Sequence, residues 1–158
     1  MKDKICGLKS IYKNLIYKIL NMIELPNKPL VLFDGVCNLC NGSVQFLIRH
    51  DPKGKLMFAA LQSNKGQEIL KHFGMKTDNL DSFVLVEDGQ AYIKSTGVLR
   101  ELKILGGFFS LFYGFIIVPT PIRDFFYNFV AKNRYRFFGK KEFCMIPTPE
   151  LKARFLTD

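Results

Sequence analysis

The sequence predicts an α/β domain in the order β-α-β-α-β-β-α, with further helices after that core and an amphipathic helix before it. Three observations carry the prediction. Short apolar runs of strand length alternate with segments of helical periodicity, a Cys-x-x-Cys pair follows the first of these runs, and an Asp-Gly pair divides the last two.

In residues 1–24, Ile5, Leu8, Tyr12, Leu15, Ile16, Ile19 and Ile23 recur at three- and four-residue steps and gather on one helical face, with Lys9, Lys13 and Asn14 mostly opposite. Such a helix is expected to dock on the domain's own surface. The alternative is a membrane-peripheral contact through residues 1–24, since lysines beside an apolar stripe suit anionic headgroups. Pro26, Asn27 and Pro29 break the helix, so residues 1–27 read as helix and linker and residues 28–158 as the domain.

Leu30 to Phe33 reads as a buried strand that turns at Asp34-Gly35, and Cys37 to His50 as a helix stopped by Asp51-Pro52-Lys53-Gly54. Leu56 to Ala60 is a second strand, parallel to the first because a helix joins them. Asn64 to Phe73 is a second helix closed by Gly74. Phe83 to Val86 and Ala91 to Lys94 flank Asp88-Gly89, a pair suited to a two-residue hairpin turn in which both φ angles are positive. Val98 to Leu105 is again helical, with Ser95 or Thr96 expected as its cap. This is the thioredoxin-like order.

Beyond Gly106 the chain is aromatic, with ten of its sixteen phenylalanines between Phe108 and Phe143. The uncharged run Ile104 to Ile122 is cut by Pro119 and Pro121. Its helical part, Ile104 to Val118, would span only roughly 22 Å, short of a hydrocarbon core of roughly 30 Å, and is expected to be a buried helix or a membrane-surface element. Pro121 opens a helix on which Phe125, Phe126, Phe129 and Val130 share a face expected to be buried. Lys132, Arg134, Arg136, Lys140 and Lys141 read as the charged end of that helix, which Gly139 stops.

With 158 residues, 48% hydrophobic and 23% charged, the chain has the size and apolar content of one folded domain, which excludes disorder as its main state. The net charge of +9 is spread over both halves, so no basic arm marks it for nucleic acid. Cys6, Cys37, Cys40 and Cys144 are too scattered for a secreted disulfide scaffold, and lysines interrupt any signal-like apolar run at the N-terminus; a cytoplasmic setting is expected.

The chemistry concentrates at Asp34, Cys37 and Cys40. A cysteine at a helix start meets free backbone N–H groups that stabilise its thiolate, so Cys37 is the expected nucleophile. Cys40, one turn on and deeper, would resolve a mixed disulfide formed at Cys37. Asp34 either bonds the local turn or takes the Cys40 proton. Structural or zinc-binding cysteines are the alternative, although zinc needs two more ligands and only Cys6, His50, His72 and Cys144 remain. His50 and His72 read as helix-end residues, and Cys144, among Phe143, Met145 and Ile146, as an inert buried thiol. With no Gly-rich phosphate loop, no cofactor is expected.

These residues resemble the DCC family of thiol-disulfide oxidoreductases, named for an Asp-x-x-Cys-x-x-Cys motif that stands here as Asp34, Cys37 and Cys40. Also similar are the preceding apolar strand, the stretch Phe58 to Ser63, the strand pair around Asp88-Gly89, the segment Arg134 to Gly139, and Cys144 with Pro147. The resemblance covers residues 28 to about 156. It implies a thioredoxin-like fold, a redox Cys-x-x-Cys, and protein or small-molecule thiols and disulfides as partners. One feature departs from better-known thioredoxin-like enzymes, which set a cis-proline before the third strand to hold an extended substrate. No proline lies between Pro52 and Pro119, and Asn79 to Ser82 occupies that approach.

Overall fold

A computed structural model describes residues 26–76, 83–140 and 151–156. The N-terminal helix expected over residues 1–24, the Asn79 to Ser82 approach, and Cys6 and Cys144 lie outside the described residues. The chain forms strand β1 (Leu30–Phe33), helix α1 (Asn38–His50), β2 (Met57–Ala60), α2 (Asn64–His72), β3 (Val84–Glu87), β4 (Gln90–Ile93) and α3 (Lys94–Leu105). A 3-10 segment (Gly107–Ile117), helix α4 (Thr120–Phe138) and a short 3-10 turn (Lys152–Arg154) follow. The expected β-α-β-α-β-β-α order is therefore the observed one.

The four strands form one mixed sheet in the order β2-β1-β3-β4. β1 runs parallel to β2 and antiparallel to β3, and β3 and β4 form the hairpin. Asp88 and Gly89 take φ of 50° and 72° at its turn, as the Asp-Gly pair predicts. Burial of all four β1 residues follows from its central position, where both faces are covered. Leu30 and Leu32 pack with Ile69 and Leu70 of α2 and with Val84 and Val86. Val31 and Phe33 point the other way, into Val44 and Leu47 of α1, Phe58 and Leu85.

Two contacts fix the crossovers. Gly66 sits so close to the Ala60 carbonyl that a Cβ there would lie 2.2 Å from the oxygen, so α2 reaches the sheet only with glycine at this point. After α1, the buried Asp51 carboxylate accepts the Lys55 and Leu56 N–H groups at 3.0 and 2.9 Å and pairs with Arg154 at 2.6 Å. Phe155 then pairs with Phe58, and Leu156 N–H donates to Phe58 O at 2.8 Å, so the chain's last described segment covers the β2 edge.

Three local expectations are corrected. The buried helix over Ile104 to Val118 is not found: α3 stops at Leu105, because Gly106 and Gly107 turn to φ of 77° and 56°, and the 3-10 segment after it has no buried residue. Neither Ser95 nor Thr96 caps α3. The helix starts at Lys94 with Ile93 as its N-cap, two residues before Ser95 and three before Thr96, and those hydroxyls instead meet α4, Ser95 donating to Asp124 and both accepting from Arg123. Finally, Phe125, Phe126, Phe129 and Val130 share a face as expected, but that face is exposed. The inward face of α4 carries Tyr127, Ala131 and Arg134, of which Arg134 is buried.

Candidate active site

The turn between β1 and α1 is built around one carboxylate. Asp34 Oδ1 accepts the Val36 N–H at 3.1 Å and the Gln62 amide at 2.8 Å, and Gln62 Oε1 accepts the Gly35 N–H at 3.1 Å. The Asn41 amide donates to Gly35 O at 2.8 Å, which ties the turn to the first turn of α1. Asp34 Oδ2 accepts from Arg134 Nη2 at 3.0 Å and from the Tyr135 hydroxyl. The Asp34–Arg134 ion pair is buried on both sides. Arg134 is thus corrected from a residue of a charged helix end to the inward anchor of α4: a buried carboxylate requires a countercharge, and this guanidinium supplies it.

Cys37 is the N-cap of α1, with its Sγ accepting the Cys40 N–H at 3.3 Å. It lies where the sequence reading set it, but the burial order of the two thiols is reversed. Cys37 has no exposed surface, whereas Cys40 is half-buried. Over the helix start runs the end of α4: the Asn38 amide donates to Phe138 O at 2.8 Å, and the Lys140 main chain pairs with that of Cys37. Gly139 makes this approach with φ of 74°, and a Cβ on it would lie 3.3 Å from the Asn38 amide nitrogen.

The Cys40 thiol is pushed up to about 12, first by burial, then by its hydrogen bond to Cys37 and the negative charge at Cys37; Arg134 pulls it down and Asp34 raises it. Desolvation opposes the charge of Arg134 itself, but its hydrogen bond to Tyr135 and its electrostatic interactions with Tyr135, Cys40 and Asp34 outweigh that and hold it protonated. Cys40 is therefore a thiol in the resting reduced protein, next to a cation able to stabilise its thiolate.

Beside Cys40 opens a cavity of about 540 Å³ between α1, α3 and α4, walled by Leu39, Phe46, Glu101, Tyr127 and Arg134 among others. Cys40 lines it and Cys37 does not. A mostly apolar space of this size accommodates a small molecule or an apolar side chain. Burial raises Glu101 well above the usual carboxylate range, and its Oε1 has no hydrogen-bond partner. Tyr127, which accepts the Phe83 N–H at 3.0 Å, is raised by burial as well. Among the described residues no three His, Cys, Asp or Glu side chains gather as a metal site.

Glu101 gives a direct pH prediction. Its folded form holds a proton that the unfolded chain releases above about pH 4.3, so stability drains away as pH rises from there toward the folded value. Glu101→Met, which removes the unpaired carboxyl, is expected to raise Tm by at least roughly 2 °C at pH 8 and to have a smaller effect at pH 4. Thermal melts at the two pH values check this; an equal gain at both would refute it.

Gln62, Glu101, Tyr127, Arg134 and Tyr135 carry no site role in the sequence reading. Gln62, Arg134 and Tyr135 leave a trace as members of the family-like stretches Phe58 to Ser63 and Arg134 to Gly139; Glu101 and Tyr127 leave none. His50, at the end of α1, packs its ring between Phe46 and Phe109 and takes no part in the site.

The sequence model of the DCC1-like thiol-disulfide oxidoreductase family matches residues 31–140. The uncharacterized protein YuxK of Bacillus subtilis (strain 168) is 55% identical over 133 residues, covering 84% of this chain and 96% of that protein. A chloroplastic DCC family protein of Arabidopsis thaliana is 42% identical over 125 residues, covering 78% of this chain and 73% of its own length. No solved structure gives a significant match.

Proposed function

Because the chain belongs to the DCC1-like thiol-disulfide oxidoreductase family, we propose that it exchanges disulfides through Cys37 and Cys40, with Asp34 moving the proton. The observation that carries this reading is a Cys37 sulfur that caps a helix and accepts the Cys40 N–H, beside a Cys40 thiol held protonated. In the reducing direction the Cys37 thiolate attacks one sulfur of a substrate disulfide, forms a mixed disulfide, and expels the other sulfur as a thiolate that takes a proton from water. Cys40 then gives up its proton and attacks the Cys37 sulfur, forming the internal disulfide and releasing the second substrate thiolate. Two electrons pass from the protein to the substrate. A dithiol partner restores the pair by the same steps in reverse.

All acceptor positions of Asp34 are occupied, so proton transfer from Cys40 requires one bond to give way. The half-buried Tyr135 hydroxyl is the donor that turns aside. Arg134 stabilises the Cys40 thiolate as it forms. Cys37 meets its substrate once the Lys140 main chain moves off it.

A second reading exchanges the two cysteines. It is favoured by the cavity, which reaches Cys40 while Cys37 is covered. The high proton affinity of Cys40 weighs against it as the first attacker.

Equilibration with glutathione buffers of graded poise tests the common part of both readings. A single reversible two-electron transition is expected, with the Cys37–Cys40 disulfide as its oxidised form. Cys37→Ser or Cys40→Ser removes that transition; its persistence in either variant would defeat the proposal.

A further inference from the structure

Helix α4 turns its arginine inward and its phenylalanines outward. Ile122, Phe125, Phe126, Phe129 and Phe137 are each more than half exposed, between 52% and 68%. The 3-10 segment that leads into it adds Phe108, Leu111 and Ile117, at 70% to 87%. Large apolar side chains crowded on consecutive exposed segments mark an interaction surface, because leaving them in water forfeits the burial that would stabilise the chain.

Charge selects the occupant. Of the five basic residues from Gly107 to Lys140, Arg134 is buried against Asp34 and Arg123 bonds Ser95, Thr96 and Thr120, which leaves Lys132, Arg136 and Lys140 exposed; the one acidic residue, Asp124, accepts the Ser95 hydroxyl. Exposed Lys132 and Arg136 continue the helical row that begins with Phe125 and Phe129, at steps of four, seven and eleven residues. We propose that this face docks on an anionic lipid surface, with α4 lying in the plane of the interface, its phenylalanines below the headgroups and Lys132 and Arg136 among them. A second copy of the chain fits less well, because it would bring the same cations to the interface while the one described acidic residue of this face, Asp124, is already bonded to Ser95. Among the described residues no helix is long and apolar enough to cross a membrane, so the contact lies on one leaflet.

Co-sedimentation of the full chain with phosphatidylcholine vesicles, with and without phosphatidylglycerol, tests the proposal. Binding is expected only when phosphatidylglycerol is present and should weaken with salt. The double variant Phe125→Ser/Phe129→Ser should keep its fold, since both side chains are exposed, and should partition at least about tenfold more weakly. Lys132→Gln/Arg136→Gln should lose several-fold in affinity on anionic vesicles. No binding by the full chain would overturn the proposal, as would binding undiminished in the phenylalanine variant. A dimer that the phenylalanine variant dissociates, with no vesicle binding, would assign the face to a second copy instead.

Discussion

Arg134→Ala is expected to destabilise the protein by about 3–5 kcal/mol, the usual cost of leaving one member of a buried ion pair without its partner. For a chain of this length that lowers Tm by on the order of 10 °C. The loss spreads beyond the pair, because Asp34 also orders Val36 and Gln62, and Arg134 also donates to Tyr135 at 2.9 Å. A second effect separates chemistry from folding. Arg134 lowers the Cys40 thiol, so its removal should raise that thiol further and slow resolution of a mixed disulfide at fixed pH. Arg134→Lys keeps the charge and should recover part of both effects, less than all because the ammonium lacks the guanidinium fork. Thermal melts with stopped-flow resolution rates check this. A melt shifted by less than about 1 kcal/mol would mean that Asp34 does not depend on this partner.

Cys37→Ser should lower turnover of a model disulfide by at least ~10³-fold, since the attacking sulfur is removed and no other thiol of the described chain has a helix-start position. Cys144→Ala, which changes a thiol flanked in sequence by Phe143, Met145 and Ile146, should leave turnover nearly intact. Steady-state assays of the two variants beside the unchanged protein measure the contrast. Equal losses would move Cys144 into the exchange pathway.

The strands and the turn between β1 and α1 were legible because they rest on local rules. Leu30 to Phe33 is an unbroken apolar run, Asp88-Gly89 suits positive φ, and a cysteine just before an amphipathic segment becomes a helix cap. What the sequence concealed depends on contacts between distant residues. Periodicity groups Phe125, Phe126 and Phe129 on one side of α4 and Tyr127, Ala131 and Arg134 on the other, but it does not tell which side faces the domain. Apolarity favours the phenylalanines; the buried Asp34, a hundred residues earlier, needs the arginine, and the inward side is the one that supplies it. A second long-range contact covers Cys37. Helix-start electrostatics describe the environment of Cys37 from its neighbours in sequence, while the cover over it comes from Phe138 to Lys140.

The order of attack is tested most directly by exposing Cys40→Ser and Cys37→Ser to glutathione disulfide and locating the adduct by peptide mass spectrometry. A stable glutathione mixed disulfide is expected on Cys37 in Cys40→Ser, with little adduct on Cys40 in Cys37→Ser. An adduct that accumulates on Cys40 in Cys37→Ser while Cys37 stays unmodified in Cys40→Ser would contradict that order.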